Sequence, residues 1–139
     1  DNSLAAAYYY PQPQVQLGQQ LIKLAHSAMD ISDGLLQDAS HIAKASLCCL
    51  QLDSHSIPLS SLSVKQFGQK QALHFALTGG DDYQLLFTTA NTVRNKLVEL
   101  GCFHIGKVEK LNSHANNENN WVLLDGQPVQ NIHSGYQHF

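Results

Sequence analysis

Two short acidic stretches hold the residue types in this chain that could do chemistry: Asp30-Ile31-Ser32-Asp33-Gly34 and Gly79-Gly80-Asp81-Asp82. In the first, two carboxylates stand three positions apart with a hydroxyl between them, where a short apolar run meets a helical pattern. Oxygens that converge on the start of a helix suit hard cations and phosphates, because the cations take oxygen ligands and the helix end presents free N–H groups. Gly34 removes the Cβ that would crowd a turn between the two carboxylates. Magnesium takes about six oxygens and keeps several waters, so Asp30 and Asp33 would form only part of its shell. An EF-hand calcium loop is excluded, since position six counted from Asp30 is Leu35 and position twelve is His41 in place of Gly and Glu. The plainer reading is that Ser32 or Asp33 caps the helix, worth about 1 kcal/mol, with Asp30 a solvated end.

In the second stretch the diglycine lets backbone approach a ligand closely, and two adjacent carboxylates at the head of a strand repel unless a cation or water compensates. A loop without a ligand is the alternative there. Other chemistries find no support. The eight histidines contain no His-Glu-x-x-His and none pairs with cysteine at ligand spacing. Ser27 and Ser32 lack a Gly-x-Ser-x-Gly elbow, and no Walker glycine loop with lysine occurs. Cys48, Cys49 and Cys102 are odd in number, and the adjacent pair on a strand would face opposite ways, which makes neither a disulfide framework nor a metal knuckle. They are expected to be buried structural thiols of a reducing compartment.

The elements that must position these residues follow from periodicity. Leu4 to Gln14 reads as extended, because Pro11 and Pro13 push their predecessors out of the helical region; its tyrosines could be exposed apolar surface. Val15 to Ala25 has helical spacing, and Ala28 to Ile31 a short strand before the acidic turn. Leu35, Leu36, Ala39, Ile42, Ala43 and Leu47 recur at three and four, predicting a helix with Gln37, Ser40, His41 and Lys44 outward. Leu47 to Asp53 alternates as a strand, and Leu59 to Leu77 holds two short helices separated around Gly68. Tyr83 to Thr88 is a strand with at least one fully buried face, Asn91 to Leu100 a helix stopped at Gly101, and Phe103 to Val108 a strand. Asn112 to Asn120 is a polar loop. Asp125-Gly126 marks a hairpin between Trp121–Leu124 and Pro128–Ile132, which Gln127 and Pro128 lengthen or bend. Strands interleaved with helices, then a late hairpin, give a mixed α/β domain.

A chain of 139 residues is one domain. Hydrophobic residues make up 43% and charged residues 14%, against about 25% charged in typical domains. The net charge of −3 and the absence of any run of two basic residues leave no footprint for nucleic acid or an anionic membrane. No apolar stretch nears the roughly 18 to 20 residues of a membrane span, and no basic region leads into a hydrophobic one at the start. The expectation is a cytoplasmic protein.

Four blocks occur in order: Tyr10-Pro11-Gln12-Pro13, Asp-Ile-Ser-Asp-Gly-Leu from Asp30, Leu-Thr-Gly-Gly-Asp-Asp-Tyr from Leu77, and Gly135-Tyr136-Gln137-His138-Phe139. On these the chain, from about Tyr8 to Phe139, resembles the C-terminal domain of thiamine-monophosphate kinase, in the superfamily of aminoimidazole ribonucleotide synthetase. A lone Ser-Asp-Gly would be an ordinary helix start; four collinear blocks are specific. The resemblance implies an α/β (α+β) fold with a mixed sheet flanked by helices. It makes residues 1–14 the remnant of an interdomain linker and 15–139 the C-terminal domain, with the N-terminal ATP-binding domain absent.

The resemblance further implies ATP-dependent phosphorylation of thiamine monophosphate to thiamine diphosphate. Asp30 and Asp33 would bind Mg2+ and Ser32 would contact ATP as nucleotide. Asp81 stands where the family usually has a Glu that contacts thiamine phosphate, Tyr136 matches an aromatic near the thiamine site and could stack on the cation, and His133 is a further substrate-binding candidate. No catalytic residue is assigned. Gln84 and Gln137 replace acidic residues common in the family. The expected partners are ATP, thiamine monophosphate and the missing N-terminal domain, with a homodimer as the full-length protein, and the isolated chain is expected to be inactive. Two alternatives stay open: another superfamily enzyme, such as aminoimidazole ribonucleotide or selenophosphate synthetase, or a non-catalytic assembly module.

Overall fold

The structure, a computed structural model, describes Leu4, residues 9–111 and residues 121–129. Helix α1 (Val15–Leu21) precedes strand β1 (Ala25–Asp30), and helix α2 (Leu35–Ala45) precedes β2 (Cys48–Leu52). Two short helices follow, α3 (Ser61–Phe67) and α4 (Gln69–Thr78), then β3 (Leu85–Thr89), α5 (Arg94–Glu99) and β4 (Gly106–Lys110). The described part closes with β5 (Val122–Leu124) and β6 (Gln127–Pro128). The strands form two sheets. One is the antiparallel pair β1-β3; the other is four-stranded and mixed, in the order β4-β2-β5-β6, with β2 antiparallel to β4 and parallel to β5.

Helix α2 joins the sheets. Its inward stripe of Leu35, Leu36, Ala39, Ile42 and Ala43 is buried, and the helix packs on β1, β3, β2, β5 and α4. Ala39 and Ala43 are wholly excluded from solvent, and their small side chains let α2 lie close to its neighbours. The core they share includes Ile31, Leu50, Leu52, Ile57, Leu77, Leu86 and Val122. Each buried Leu or Ile stabilises the fold by about 1.5–3 kcal/mol, so the helix whose first turn adjoins the acidic residues is also the best anchored element. Ile31 matters locally. Buried between exposed Asp30 and half-buried Ser32, it pins the acidic turn to the core and turns its polar neighbours away from it.

Several boundaries differ from the sequence-based expectations, for tertiary reasons. The first helix ends at Leu21, not Ala25, because Ala25 to Asp30 is taken up by pairing with Thr89 to Leu85. The strand expected over Tyr83 to Thr88 begins at Leu85, since Tyr83 has positive φ; of its five residues only Leu86 is buried, so the fully buried face expected there is absent. The strand expected from Phe103 starts at Gly106 in register with Leu52, which leaves Phe103 exposed. Asp125 and Gly126 both have positive φ and Leu124 pairs directly with Gln127, a tight two-residue turn of the kind Asp-Gly favours; Gln127 and Pro128 neither lengthen nor bend it. Leu4 and Tyr9 have helical backbone, while 11–14 is irregular: each proline restrains only its predecessor, so the extended reading fails at Leu4 and Tyr9. Tyr9 and Tyr10 are exposed, as expected of an apolar surface.

The paired helices around Gly68 and the stop at Gly101 are as expected, each glycine having positive φ. All three cysteines are free, with Cys49 buried and Cys48 and Cys102 partly so. Among the described residues no helix is long and apolar enough to cross a membrane. The polar loop 112–120, the strand expected through Ile132, and the site candidates His133 and Tyr136 lie outside the described residues.

Candidate functional site

The two acidic stretches meet. The amide of Asp81 donates to the carbonyl of Ser32 (2.9 Å), that of Tyr83 to Ile31 (2.9 Å), and that of Ile31 to Gln84 (2.8 Å). This continues the β1-β3 ladder, in which Asp30 lies opposite Leu85. Residues nearly fifty positions apart in sequence thus form one main-chain unit. Asp30 and Asp82 are exposed, and Ser32, Asp33 and Asp81 are half-buried.

Each turn has backbone that only its surroundings can hold. Gly34 has φ +111°, and a Cβ there would lie 3.0 Å from the carbonyl carbon and oxygen of Thr78; the start of α2 therefore touches the end of α4 where only glycine fits. At Gly79 a Cβ would come within 2.6 Å of the Phe75 carbonyl oxygen, which also accepts the Gly79 amide at 2.7 Å. Close approach at Gly79 thus serves the end of α4 itself. Asp81 and Tyr83 have φ of +60° and +55°, conformations that cost of order 1–3 kcal/mol and persist because the cross-turn amide bonds fix both residues. The Tyr83 hydroxyl donates to Asp81 Oδ1 at 2.8 Å, so the strained pair also orients the Asp81 carboxylate.

The N-cap position of α2 is taken by Gly34, not by Ser32 or Asp33, and Gly34 has no side chain to accept a helix amide. The turn is satisfied from the opposite direction. Asp38, one turn into α2 and fully buried, accepts the amides of Ser32 (3.0 Å) and Asp33 (3.1 Å) on Oδ2. Its other oxygen, Oδ1, is buried with no hydrogen-bond partner among the described residues. Burial pushes the Asp38 carboxyl above its ordinary range, against the lowering by the Asp33 and Ser32 amides. Asp33 Oδ2 accepts from Gln37 Nε2 at 3.2 Å. Asp82 combines an exposed surface with enough surrounding protein for desolvation to raise its carboxyl as well.

Sequence reasoning missed Asp38. The signal was present: it falls on the inward stripe with Leu35, Ala39 and Ile42, where a charged residue is out of place unless it is bonded. Ligand atoms of Asp33, Asp38 and His41 lie within 4.8 Å of one another, and Asp30 is not in that group. A second such group, Asp53, His55 and Asp125, is exposed. Its carboxylates are occupied by the amides of His55 and Ser54 and by the Ser56 hydroxyl. It borders a recess of about 370 Å³ with Gln51, His104 and Lys107, which is lined, among the described residues, by none of the metal, nucleotide or substrate candidates named from the sequence.

No protein-family model matches the chain. Its sequence is 36% identical over 146 residues to thiamine-monophosphate kinase of Haemophilus influenzae, covering 100% of this chain and 44% of that protein. Its structure is similar to the crystal structure of thiamine-monophosphate kinase from Stenotrophomonas maltophilia K279a, with a TM-score of 0.82 and 35% identity over 91% of this chain and 40% of that one. It is also similar to AaThiL complexed with AMPPCP and TMP, with a TM-score of 0.81 and 31% identity over 99% of this chain and 41% of that one. The chain therefore spans less than half the length of each relative it matches.

Proposed function

The chain is a homologue of thiamine-monophosphate kinase that spans about two fifths of such an enzyme, and on that premise we propose that it is the C-terminal domain, residues 15–139 after a linker remnant, of an ATP-dependent kinase that converts thiamine monophosphate to thiamine diphosphate. In this reading it forms one wall of the cleft. The observation that supports the proposal is the main-chain hydrogen bonding between the two acidic turns, which brings Ser32 beside Asp81. The similar AaThiL structure, complexed with AMPPCP and TMP, supports the choice of an ATP-type nucleotide and a thiamine phosphate.

The donors fit magnesium in kind. Asp30 and Asp33 offer hard carboxylate oxygens at exposed and half-buried positions, and an all-oxygen set open to water is what Mg2+ prefers. Bound there, Mg2+ would supply charge neutralisation of the phosphates. The chain's own groups do the rest. The Ser32 hydroxyl donates to a nucleotide phosphate oxygen. Asp81, held by Tyr83, faces the thiazolium cation of the substrate. Tyr136 and His133 complete the substrate contacts in this reading. The fixed turns hold donor and acceptor phosphates for in-line transfer, so catalysis is mainly positioning and electrostatics. No protein base is needed, because a phosphate monoester is largely ionised near neutral pH, its second pKa being about 6.

The remaining metal and nucleotide contacts come from the N-terminal domain of the full-length parent, which acts as a cytoplasmic homodimer. The test is an assay of the purified parent with ATP, Mg2+ and thiamine monophosphate. Formation of thiamine diphosphate supports the reading; no product with this acceptor, alongside turnover of an aminoimidazole ribonucleotide precursor or selenide, contradicts it.

A further inference from the structure

We propose that Asp38 is the positioning residue of the acidic turn: a buried carboxylate that sets the direction of Ser32 and Asp33 without itself touching metal or nucleotide. The inference rests on the reading of Asp30 and Asp33 as metal carboxylates. Asp38 is the one charged residue among the described residues that is wholly excluded from solvent, and both hydrogen bonds that its side chain accepts come from the turn. A single oxygen, Oδ2, takes two successive amides. That geometry fixes the peptide planes on both sides of Ser32 and with them the exit vectors of the Ser32 and Asp33 side chains.

The residue is held in turn by its helix. Leu35, Leu36, Ala39 and Ile42 seat α2 against both sheets, so the clamp is referenced to the core. Gln37 braces Asp33 from the same helix turn. Gly34, too tightly placed against Thr78 to carry a side chain, can offer the amides no cap of its own. A buried carboxylate with one oxygen unpartnered is normally disfavoured, and its retention on an otherwise apolar stripe is accounted for by the two turn amides. The competing role is direct ligation, because Asp33, Asp38 and His41 have ligand atoms within 4.8 Å of one another. Burial of both Asp38 oxygens argues for the clamp.

Two variants of the full-length parent separate these roles, with Mn2+ as the probe. Asp38→Asn keeps a carbonyl oxygen for the two amides and loses the charge; Asp38→Ala loses both. Mn2+ affinity is measured without nucleotide from the electron paramagnetic resonance of the free ion, and kcat and KM for ATP are measured separately. The clamp predicts that Asp38→Ala weakens Mn2+ binding and raises KM for ATP at least tenfold, while Asp38→Asn stays within about threefold of the parent on both. A merely structural role would lower the active fraction and leave both constants unchanged, which would overturn the proposal. Loss in Asp38→Asn equal to that in Asp33→Asn would also overturn it, making Asp38 a ligand. Should Asp38→Ala fail to fold, Asp38→Leu, which fills the buried site with an apolar side chain of similar size and removes both acceptors, is read by the same two constants and the same thresholds. If neither Asp30→Asn nor Asp33→Asn weakens Mn2+ binding, the underlying metal reading has failed instead.

Discussion

The Asp81 amide donates to the Ser32 carbonyl across 2.9 Å, and this bond makes the two acidic turns one object. Without it, Asp81 would sit on a loop following α4 and Ser32 on a loop preceding α2, each free to move with its own helix. With it, and with the flanking Tyr83 and Ile31 amides, a displacement of either turn is felt by the other.

Gly34→Ala tests that coupling. The new Cβ meets the Thr78 carbonyl at 3.0 Å with φ at +111°, so the variant should lose about 1–3 kcal/mol of stability, read as a lower urea midpoint with an unchanged slope. Because Thr78 leads into the diglycine turn, activity of the full-length parent should fall along with stability. A variant as stable as the parent would show that α2 and α4 can separate there without strain.

Asp33→Asn and Asp30→Asn should each reduce turnover of the full-length parent by at least 100-fold, about 2.7 kcal/mol in the barrier, and leave unfolding midpoints nearly unchanged. Asp30 is exposed and Asp33 only half-buried, and such positions tolerate the exchange of a carboxylate for an amide. Near-parental rates would remove the metal role. The isolated 139-residue chain should show no turnover, because part of the metal and nucleotide cage would be missing; phosphorylation of thiamine monophosphate by the purified chain would contradict this.

Tyr83→Phe removes the hydroxyl that donates to Asp81 Oδ1 at 2.8 Å. The loss of one hydrogen bond should cost about 0.5–1.5 kcal/mol in stability. Its functional effect should fall on the substrate, raising KM for thiamine monophosphate several-fold with KM for ATP unmoved. Equal changes in both constants would mean that Asp81 does not face the thiamine.

How much of this was legible in the sequence differs by level. Helix α2 was readable because its apolar stripe repeats over eleven residues, and so were the glycine stops at Gly68 and Gly101. Strand β1 was harder. Its start at Ala25 is set by pairing with Thr89, and nothing local distinguishes Lys23-Leu24-Ala25 from a continuing helix. The acidic turns were identifiable as chemistry from residue type and spacing. That they touch could not be read from spacing, because it depends on the long-range β1-β3 register. Asp38 was readable in principle from its place on the apolar stripe, and its partners were not, since backbone amides leave no mark in a sequence.

Part of the acid sensitivity should arise at two exposed carboxylates, Asp53 just beyond the end of β2 and Asp125 in the β5-β6 turn. The Ser56 hydroxyl and the His55 amide hold the Asp53 carboxyl below its ordinary range, and the Ser54 amide and side chain do the same for Asp125. A folded value below the unfolded one of about 3.9 means that these groups stabilise the fold above that pH, and that the contribution is lost as pH falls through the folded values. Asp53→Asn combined with Asp125→Asn should therefore lower the urea midpoint at pH 6 and make little difference at pH 2. A gap between parent and variant that persists undiminished at pH 2 would contradict the assignment. Asp38, raised by burial, has the opposite sign: its contribution is greatest at low pH and declines as pH rises through its folded value.

The most direct measurement is the anomalous difference density of Mn2+ in crystals of the full-length parent grown with a non-hydrolysable ATP analogue and thiamine monophosphate. Manganese should lie within coordination distance of carboxylate oxygens of Asp30 and Asp33 and of the nucleotide phosphates, at about the 2.0–2.1 Å of a magnesium shell, with Asp81 beside the thiazolium ring. Manganese bound only by residues outside this chain, with Asp30 and Asp33 facing solvent and the diglycine turn away from both ligands, would contradict it.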